Sequence, residues 1–142
     1  MNDKLHIEFK RLNHLQICIP KNKEEEAKAF YCGLLGLKEI EKPDDLKKNG
    51  GFWLEIVDIE LHIGTEDVIN ESKRHPAFEV RKINAIKKAL VSSGVKIKED
   101  KSLPLYNRFS FYDPFNNRIE LLEEKTREEL EYLGQEVAIK ID

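Results

Sequence analysis

The residues of this sequence best suited to chemistry are two histidines and two glutamates: His14, Glu60, His75 and Glu120. Each stands in a stretch of alternating side chains, on the side opposite the aliphatic residues. From Leu12 to Ile19, Leu15, Ile17 and Ile19 share one face while His14, Gln16 and Cys18 share the other. Behind the turn signals Asp113-Pro114 and Asn116-Asn117, Ile119 and Leu121 oppose Arg118, Glu120 and Leu122. An isolated strand glutamate is in most cases solvated, because Glu is rarely buried unpaired. The spacing argues for more. His14 returns as His75, Gly36 as Gly94 and Ile59-Glu60-Leu61 as Ile119-Glu120-Leu121, all at offsets of about 60 positions, the mark of two diverged copies of one unit. If the copies pack about a pseudo-twofold axis, the four side chains converge. Two imidazoles and two carboxylates suit a divalent metal ion such as Zn, Ni, Mn or Fe, with an open position to polarise a substrate oxygen or activate water. Taken singly, either histidine is as readily an ordinary hydrogen-bonded strand residue.

The elements that must position these groups follow from periodicity. In the first copy the strand at Leu12 to Ile19 is ended by Pro20. Asn22 with Glu25 then has the form of a capping box, and Ala27, Phe30, Tyr31 and Leu34 make a helical stripe stopped at Gly36. Strands are expected at Leu37 to Lys42, Phe52 to Val57 and Ile59 to Ile63, with Pro43 to Gly50 a charged loop and a tight turn at Asp58. The second copy repeats the order: a strand from His75 to Val80, a helix opened by Asn84 carrying Ile86, Ala89 and Leu90 and stopped at Gly94, then strands at Val95 to Lys98, Arg108 to Tyr112 and around Glu120. The fold class is therefore α+β, a single domain of two tandem βαβββ modules, residues 12–64 and 75–123, forming a curved, barrel-like mixed sheet. Residues 124–142 add a helix opened by the Thr126–Glu129 capping pair and a tail in which Val137, Ile139 and Ile141 alternate like a last strand.

Bulk properties narrow the partners. The chain has 142 residues, one domain's worth, with 24 basic against 27 acidic residues and a net charge of −3, so nothing argues for a nucleic-acid footprint or an anionic membrane surface. No apolar run reaches the roughly 18 residues of a membrane span, and Met1-Asn2-Asp3-Lys4 lacks a secretory core, which points to a cytoplasmic protein. Cys18 and Cys32 have neither metal-knuckle nor redox spacing and read as small core or cavity residues. Trp53, Tyr106, Arg108 and Tyr112 are candidates for the walls of a substrate cavity, with Arg108 suited to an anion. The alternative for Trp53 and Tyr112 is a place in the core.

Several motifs together resemble the vicinal-oxygen-chelate superfamily of glyoxalase I, bleomycin-resistance proteins, fosfomycin-resistance thiol transferases and extradiol dioxygenases. They are Asn13-His14-Leu15-Gln16-Ile17, Phe30-Tyr31 with Leu34-Leu35-Gly36-Leu37, His75-Pro76-Ala77-Phe78, and Asp113-Pro114 through Leu121. Asn116 stands where the family's turn has glycine, and Asn is the residue that next best tolerates a left-handed backbone. The resemblance implies metal ligands at His14, His75 and Glu120. For a fourth it favours Glu60, while His62, two residues on and on the same face, remains open as ligand or substrate contact. It also implies a homodimer and a metal-dependent lyase or isomerase of glyoxalase I type, with Glu120 or Glu60 moving a proton. The alternatives are a fosfomycin-type thiol transferase and a binding protein that sequesters a small molecule.

Overall fold

In the computed structural model, residues 5–67 and 71–141 are described, 135–141 by their backbone alone. The chain forms two compact units, Met1–Ile69 and Asn70–Asp142. In the first, strands β1 (His14–Pro20), β2 (Lys38–Ile40), β3 (Phe52–Ile56) and β4 (Ile59–Glu66) make a four-stranded sheet of order β1-β4-β3-β2. In the second, β5 (Ala77–Glu79), β6 (Ile97–Lys98), β7 (Tyr106–Tyr112) and β8 (Arg118–Glu124) make a sheet of order β5-β8-β7-β6. Each unit pairs its first and last strands in parallel and its other neighbours antiparallel. The βαβββ order expected from the sequence is thus present twice, as two mixed sheets.

Alternation along the strands divides each sheet into two faces. In the first unit Ile17, Ile19, Phe52, Leu54, Leu61 and Ile63 are buried together with Ala27, Phe30 and Tyr31. In the second, Phe109, Phe111, Ile119 and Leu121 are buried with Ile83 and Leu90. Each such aliphatic or aromatic side chain contributes about 1.5–3 kcal/mol by leaving water, so these faces, and not the polar ones, hold the units together.

The helices start differently from the sequence expectation. Helix α1 (Glu24–Lys28) has Lys23 at its cap position and no side-chain cap bond, while Asn22 takes a left-handed turn at φ 65°. Three acids, Glu24, Glu25 and Glu26, fill its first turn and suit the positive end of the helix dipole. It runs on as a π-helical turn, Ala29–Leu34, which closes with Leu35 N–H donating to the Phe30 carbonyl at 2.9 Å. Gly36, at φ 77°, then lets Leu37 N–H reach back six residues to Tyr31 O at 2.9 Å, one residue wider than a Schellman bond, as befits the π turn before it. Leu34, expected in the buried stripe, is 39% exposed because the wider π turn rotates it out of register. Helix α3 (Ile83–Ser92) is not capped by Asn84. Glu123 of β8 bonds Lys82 N–H at 2.6 Å and Ile83 N–H at 3.2 Å, so a carboxylate from the neighbouring strand does the capping. Ala89 is exposed, and Ile83 takes the place expected for it beside Leu90.

Two loops also depart from expectation. A short helix, α2 (Asp44–Lys47), interrupts the Pro43 to Gly50 loop. Residues 137, 139 and 141 belong by backbone to α4 (Arg127–Ile141) and not to a strand: the capping box, with Glu129 N–H on Thr126 Oγ1 at 3.1 Å, starts a helix that runs through them. The Asp113 turn is as expected. The Asp113 carboxylate is 4% exposed and receives Phe115 N–H at 2.9 Å, Asn117 N–H at 2.8 Å and Asn117 Nδ2 at 2.8 Å, with Asn116 left-handed at φ 68°. Both cysteines are half-buried. Burial, then a hydrogen bond and the charge of Glu66, push the Cys18 thiol up; burial, then Glu39, raise Cys32.

Gly51 shows how tightly β3 is set against β4. Its φ is 76°, and a Cβ there would run into the Ile63 carbonyl oxygen, whereas one on Gly94, at φ 78°, meets nothing within 4 Å. Gly94→Ala should cost about 1–2 kcal/mol for the left-handed backbone alone. Gly51→Ala should cost clearly more, read as the larger fall in urea midpoint; equal falls would show that β3 yields without penalty.

Candidate functional site

The polar face of the first sheet gathers side chains from three adjacent strands. His14 of β1 is paired with Glu60 of β4, Gln16 with His62, and Trp53 of β3 with His62. Three rings stack across that register: Trp53 on His62 at 3.9 Å with planes 3° apart, and His62 on His14 at 4.2 Å and 15°. His62 Nε2 donates to Glu60 Oε1 at 2.9 Å, and its side chain is 8% exposed against 40% for Glu60. The buried imidazole therefore holds a carboxylate that still faces outward. His14 donates through Nδ1 to Asn13 Oδ1 at 2.9 Å, which leaves Nε2 as its free lone pair when the ring is neutral. A cavity of about 650 Å³ lies over this face, and its lining includes His14, Trp53, Glu60 and His62.

The second sheet carries its polar groups in a denser network. Glu120, 5% exposed, has Oε1 at 2.9 Å from the Arg108 guanidinium, 3.6 Å from His75 Nε2 and 4.0 Å from Arg118 Nη2. His75 stands just ahead of β5 instead of inside it, and its Nδ1 donates to the Lys73 carbonyl at 2.7 Å, leaving Nε2 as the lone pair on the Glu120 side. The Pro76 carbonyl accepts Glu120 N–H at 3.0 Å, which extends the parallel ladder back to His75's neighbour. Arg118 in turn binds Ser110 Oγ at 3.0 Å and Asp100 Oδ1 at 2.8 Å, while Ser110 donates to Asp100 Oδ2 at 2.6 Å. Arg108 Nε also donates to the Lys101 carbonyl at 2.8 Å.

The other wall candidates separate. Tyr106 and Arg108 line a cavity of about 340 Å³ with Asp100 and Asn107, and Tyr112 lines another of about 310 Å³ with Lys96, whose ammonium lies 4.9 Å from its ring centre. Sequence reading missed Ser110 and Asp100. Ser110 was within reach, lying between Arg108 and Tyr112 at period two; Asp100 sits in a loop and gives no local signal. Within each unit the described residues present a histidine and a carboxylate in register or in contact, and no larger group of His, Cys, Asp or Glu poised for an ion. As donors they fit a divalent ion in kind: imidazoles fixed by a bond at Nδ1, with carboxylates beside them.

The family model for the Glyoxalase/Bleomycin resistance protein/Dioxygenase superfamily matches residues 11–121. The chain belongs to this superfamily. Its fold is that of a glyoxalase family protein from Bacillus anthracis, 43% identical, with a TM-score of 0.79 over 85% of this chain and all of that one. The fosfomycin resistance protein FosX of Listeria monocytogenes is similar in fold at 20% identity, with a TM-score of 0.67 over 87% of this chain and 99% of that one. A FosX mutant solved with Mn(II) and 1S,2S-dihydroxypropylphosphonic acid is similar at 18% identity and a TM-score of 0.70, over 87% of this chain and 99% of that one. Comparison with curated protein sequences finds no match. Among the described residues of this glyoxalase-superfamily chain, no helix is long and apolar enough to cross a membrane.

The Asp100 network sets an acid dependence. Burial by itself would raise the Asp100 carboxyl, but Ser110, Lys98 and Arg118 outweigh it and hold it below the usual carboxylate range. A carboxyl depressed in the folded state stabilises the protein above its unfolded-state value and ceases to do so as pH falls through the folded value. Wild type should therefore be more stable than Asp100→Asn at neutral pH, and the gap should close below about pH 4, near the unfolded-state carboxyl. Urea midpoints from pH 2 to 7 check this. A gap constant across the range would assign Asp100 no electrostatic role.

Proposed function

We propose that this glyoxalase-superfamily chain is a metal-dependent lyase or isomerase acting on a small substrate with adjacent oxygens, with His14, Glu60, His75 and Glu120 as the ligands of a divalent ion. The observation that carries the reading is that both histidines spend Nδ1 on an oxygen acceptor and keep Nε2 without a hydrogen bond, His14 in register with Glu60 and His75 Nε2 at 3.6 Å from Glu120. Outer bonds of this kind fix the tautomer and aim of a ligating imidazole. Each unit supplies one imidazole–carboxylate pair, and two pairs complete the set, from one chain or from two. FosX, a member of the same superfamily, is solved with Mn(II), which supports an ion of this class.

Hydrogen bonding supports Glu60 over His62 as the fourth ligand. His62 Nε2 is committed as a donor to Glu60 Oε1, and Glu60 retains its second oxygen. Sheet register alone argues otherwise, because Gln16 lies opposite His62 as Ala77 lies opposite Glu120, each two residues past a histidine. The chemistry outranks the register here, since a ring nitrogen that donates a proton has no lone pair to give a metal.

A bound divalent ion would act as a Lewis acid on the adjacent substrate oxygens. The chain's own part divides between the two glutamates. Glu60, partly exposed and held by one hydrogen bond, is placed to take a proton and return it; Glu120, buried against Arg108, is held in one position. Trp53 forms a substrate wall in this reading, and Arg108 acts through its hold on Glu120, while Tyr106 and Tyr112 line separate cavities. The reading includes a homodimer, for which the exposed Leu5, Ile7, Phe9 and Leu12 ahead of β1 offer apolar surface; sedimentation as a monomer at working concentration would remove that part.

The test is elemental analysis of protein purified without a nickel-affinity step, followed by chelation. Bound divalent metal, turnover abolished by chelator and an unchanged far-ultraviolet circular dichroism spectrum are expected. Mn(II) titration should weaken about 10–100-fold in Glu60→Ala, and less in His62→Ala. Tight small-molecule binding that ignores chelator, without turnover, would replace the enzyme by a sequestering protein.

A further inference from the structure

The cavity over the first sheet has His14 and Glu60 at one place and the cation Lys42 at another, with Asn13, Gln16, Asn49 and Thr65 also in its lining. His14 and Glu60 stand on β1 and β4, at one side of the strand order β1-β4-β3-β2. Lys42, which also lines it, follows the end of β2 at Ile40, on the far side. Between them lie His62 of β4 and Trp53 of β3, stacked in parallel. Adjacent strands are about 4.8 Å apart, and the register Lys38↔Glu55↔Glu60 places Lys42 two strands across and four residues along from Glu60, so roughly 16 Å separates their backbones.

Lys42 differs from the arginines of the second sheet. Arg108 and Arg118 are neutralised by Glu120 and Asp100, but Lys42 makes no ion pair among the described residues. It is half-buried and donates one N–H to the Gly50 carbonyl at 2.7 Å, which anchors the ammonium beside the cavity and leaves two donors and its full charge. The competing acid is Glu24, whose Oε2 would lie 4.0 Å from a Cβ on Gly50, yet Glu24 does not line the cavity and makes no ion pair with Lys42 among the described residues. A half-buried cation without a counter-ion gains most from an incoming anion, because the pair forms in a medium that screens it less than water does.

We infer that Lys42 is a specificity-determining residue, and that the substrate is an elongated acid: vicinal oxygens at one end, a flat unsaturated or aromatic body over Trp53 and His62, and a carboxylate or phosphonate received by Lys42. The inference rests on the reading of His14 and Glu60 as the chemical end of the site. It adds that the substrate's far end is anionic, and that Lys42 distinguishes it from a neutral analogue of the same shape.

Trp53 is the only tryptophan of the sequence, so intrinsic fluorescence reports on this cavity directly. The probes are 3,4-dihydroxybenzoate, its phosphonate analogue 3,4-dihydroxyphenylphosphonate, and the neutral 3,4-dihydroxybenzamide, titrated with and without chelator. Wild type should bind at least one of the two anions about tenfold or more tighter than the amide, as expected for one charge-assisted hydrogen bond. Lys42→Gln should erase that preference with little change in amide affinity, and Lys42→Arg should restore it. The carboxylate and phosphonate arms show which anion the site takes. Because Lys42 is not a ligand, the anion preference should persist in chelator even if overall affinity drops. A preference that persists while chelator leaves all three affinities unchanged would therefore sink the metal reading and leave Lys42 standing. An anion preference unchanged in Lys42→Gln, or no fluorescence response to either anion, would overturn the role of Lys42.

Discussion

The parallel pairing of first and last strands is the constraint on which each unit depends. A parallel ladder needs a crossover, and here the crossover brings a helix onto one face of the sheet, whose aliphatic residues it covers. The opposite face is then left to polar side chains. Because the strand period is two, a slip of one residue between β1 and β4 would turn Ile17 and Ile19 outward and carry His14 under the helix. The register His14↔Glu60 is thus held by the apolar face and spent on the polar one. In the second unit the same ladder pairs Ala77 with Glu120.

The two polar faces share a plan and differ in electrostatics. In the first, Glu60 is half-exposed and its only described hydrogen-bond partner is an imidazole. In the second, Glu120 is buried and faces two guanidiniums, one of them braced by Asp100 and Ser110. A buried carboxylate is costly unless paired, and the Arg108 contact at 2.9 Å offsets that cost. Such pairing fixes where Glu120 points. The first unit thus presents a partly exposed carboxylate and the second a buried, braced one.

The fold was legible because its signals are local and repeated. Alternation in Leu15, Ile17 and Ile19, the stops at Gly36 and Gly94, and the Asp113-Pro114 turn each rest on backbone chemistry that neighbours in sequence decide, and the second copy confirmed the first. Asn116 at positive φ is the clearest instance, since a short polar side chain there bears the left-handed turn that glycine usually makes. Helix starts were less legible. Asn22 and Asn84 have the right type for caps, but the backbone turned left-handed at one, and at the other a glutamate from a distant strand captured the free N–H groups. The terminal alternation of Val137, Ile139 and Ile141 misled because a helix already nucleated extends at little cost per residue.

By itself the sequence determined the family, the α+β class, the two-copy order of elements and which histidines and glutamates share the polar faces, because side-chain periodicity and turn chemistry are written in residue types and short spacings. Only the tertiary structure decided what those groups touch. That His62 lies between Trp53 and His14 and donates to Glu60, that Arg108 is taken up by Glu120, that Asp100 braces Arg118, and that Lys42 is anchored on the Gly50 carbonyl beside the cavity are all contacts between strands or between a loop and a strand. Hydrogen bonds and charges act over a few ångströms of space without regard to separation along the chain, so their partners are chosen by packing, and no local pattern in the sequence records them.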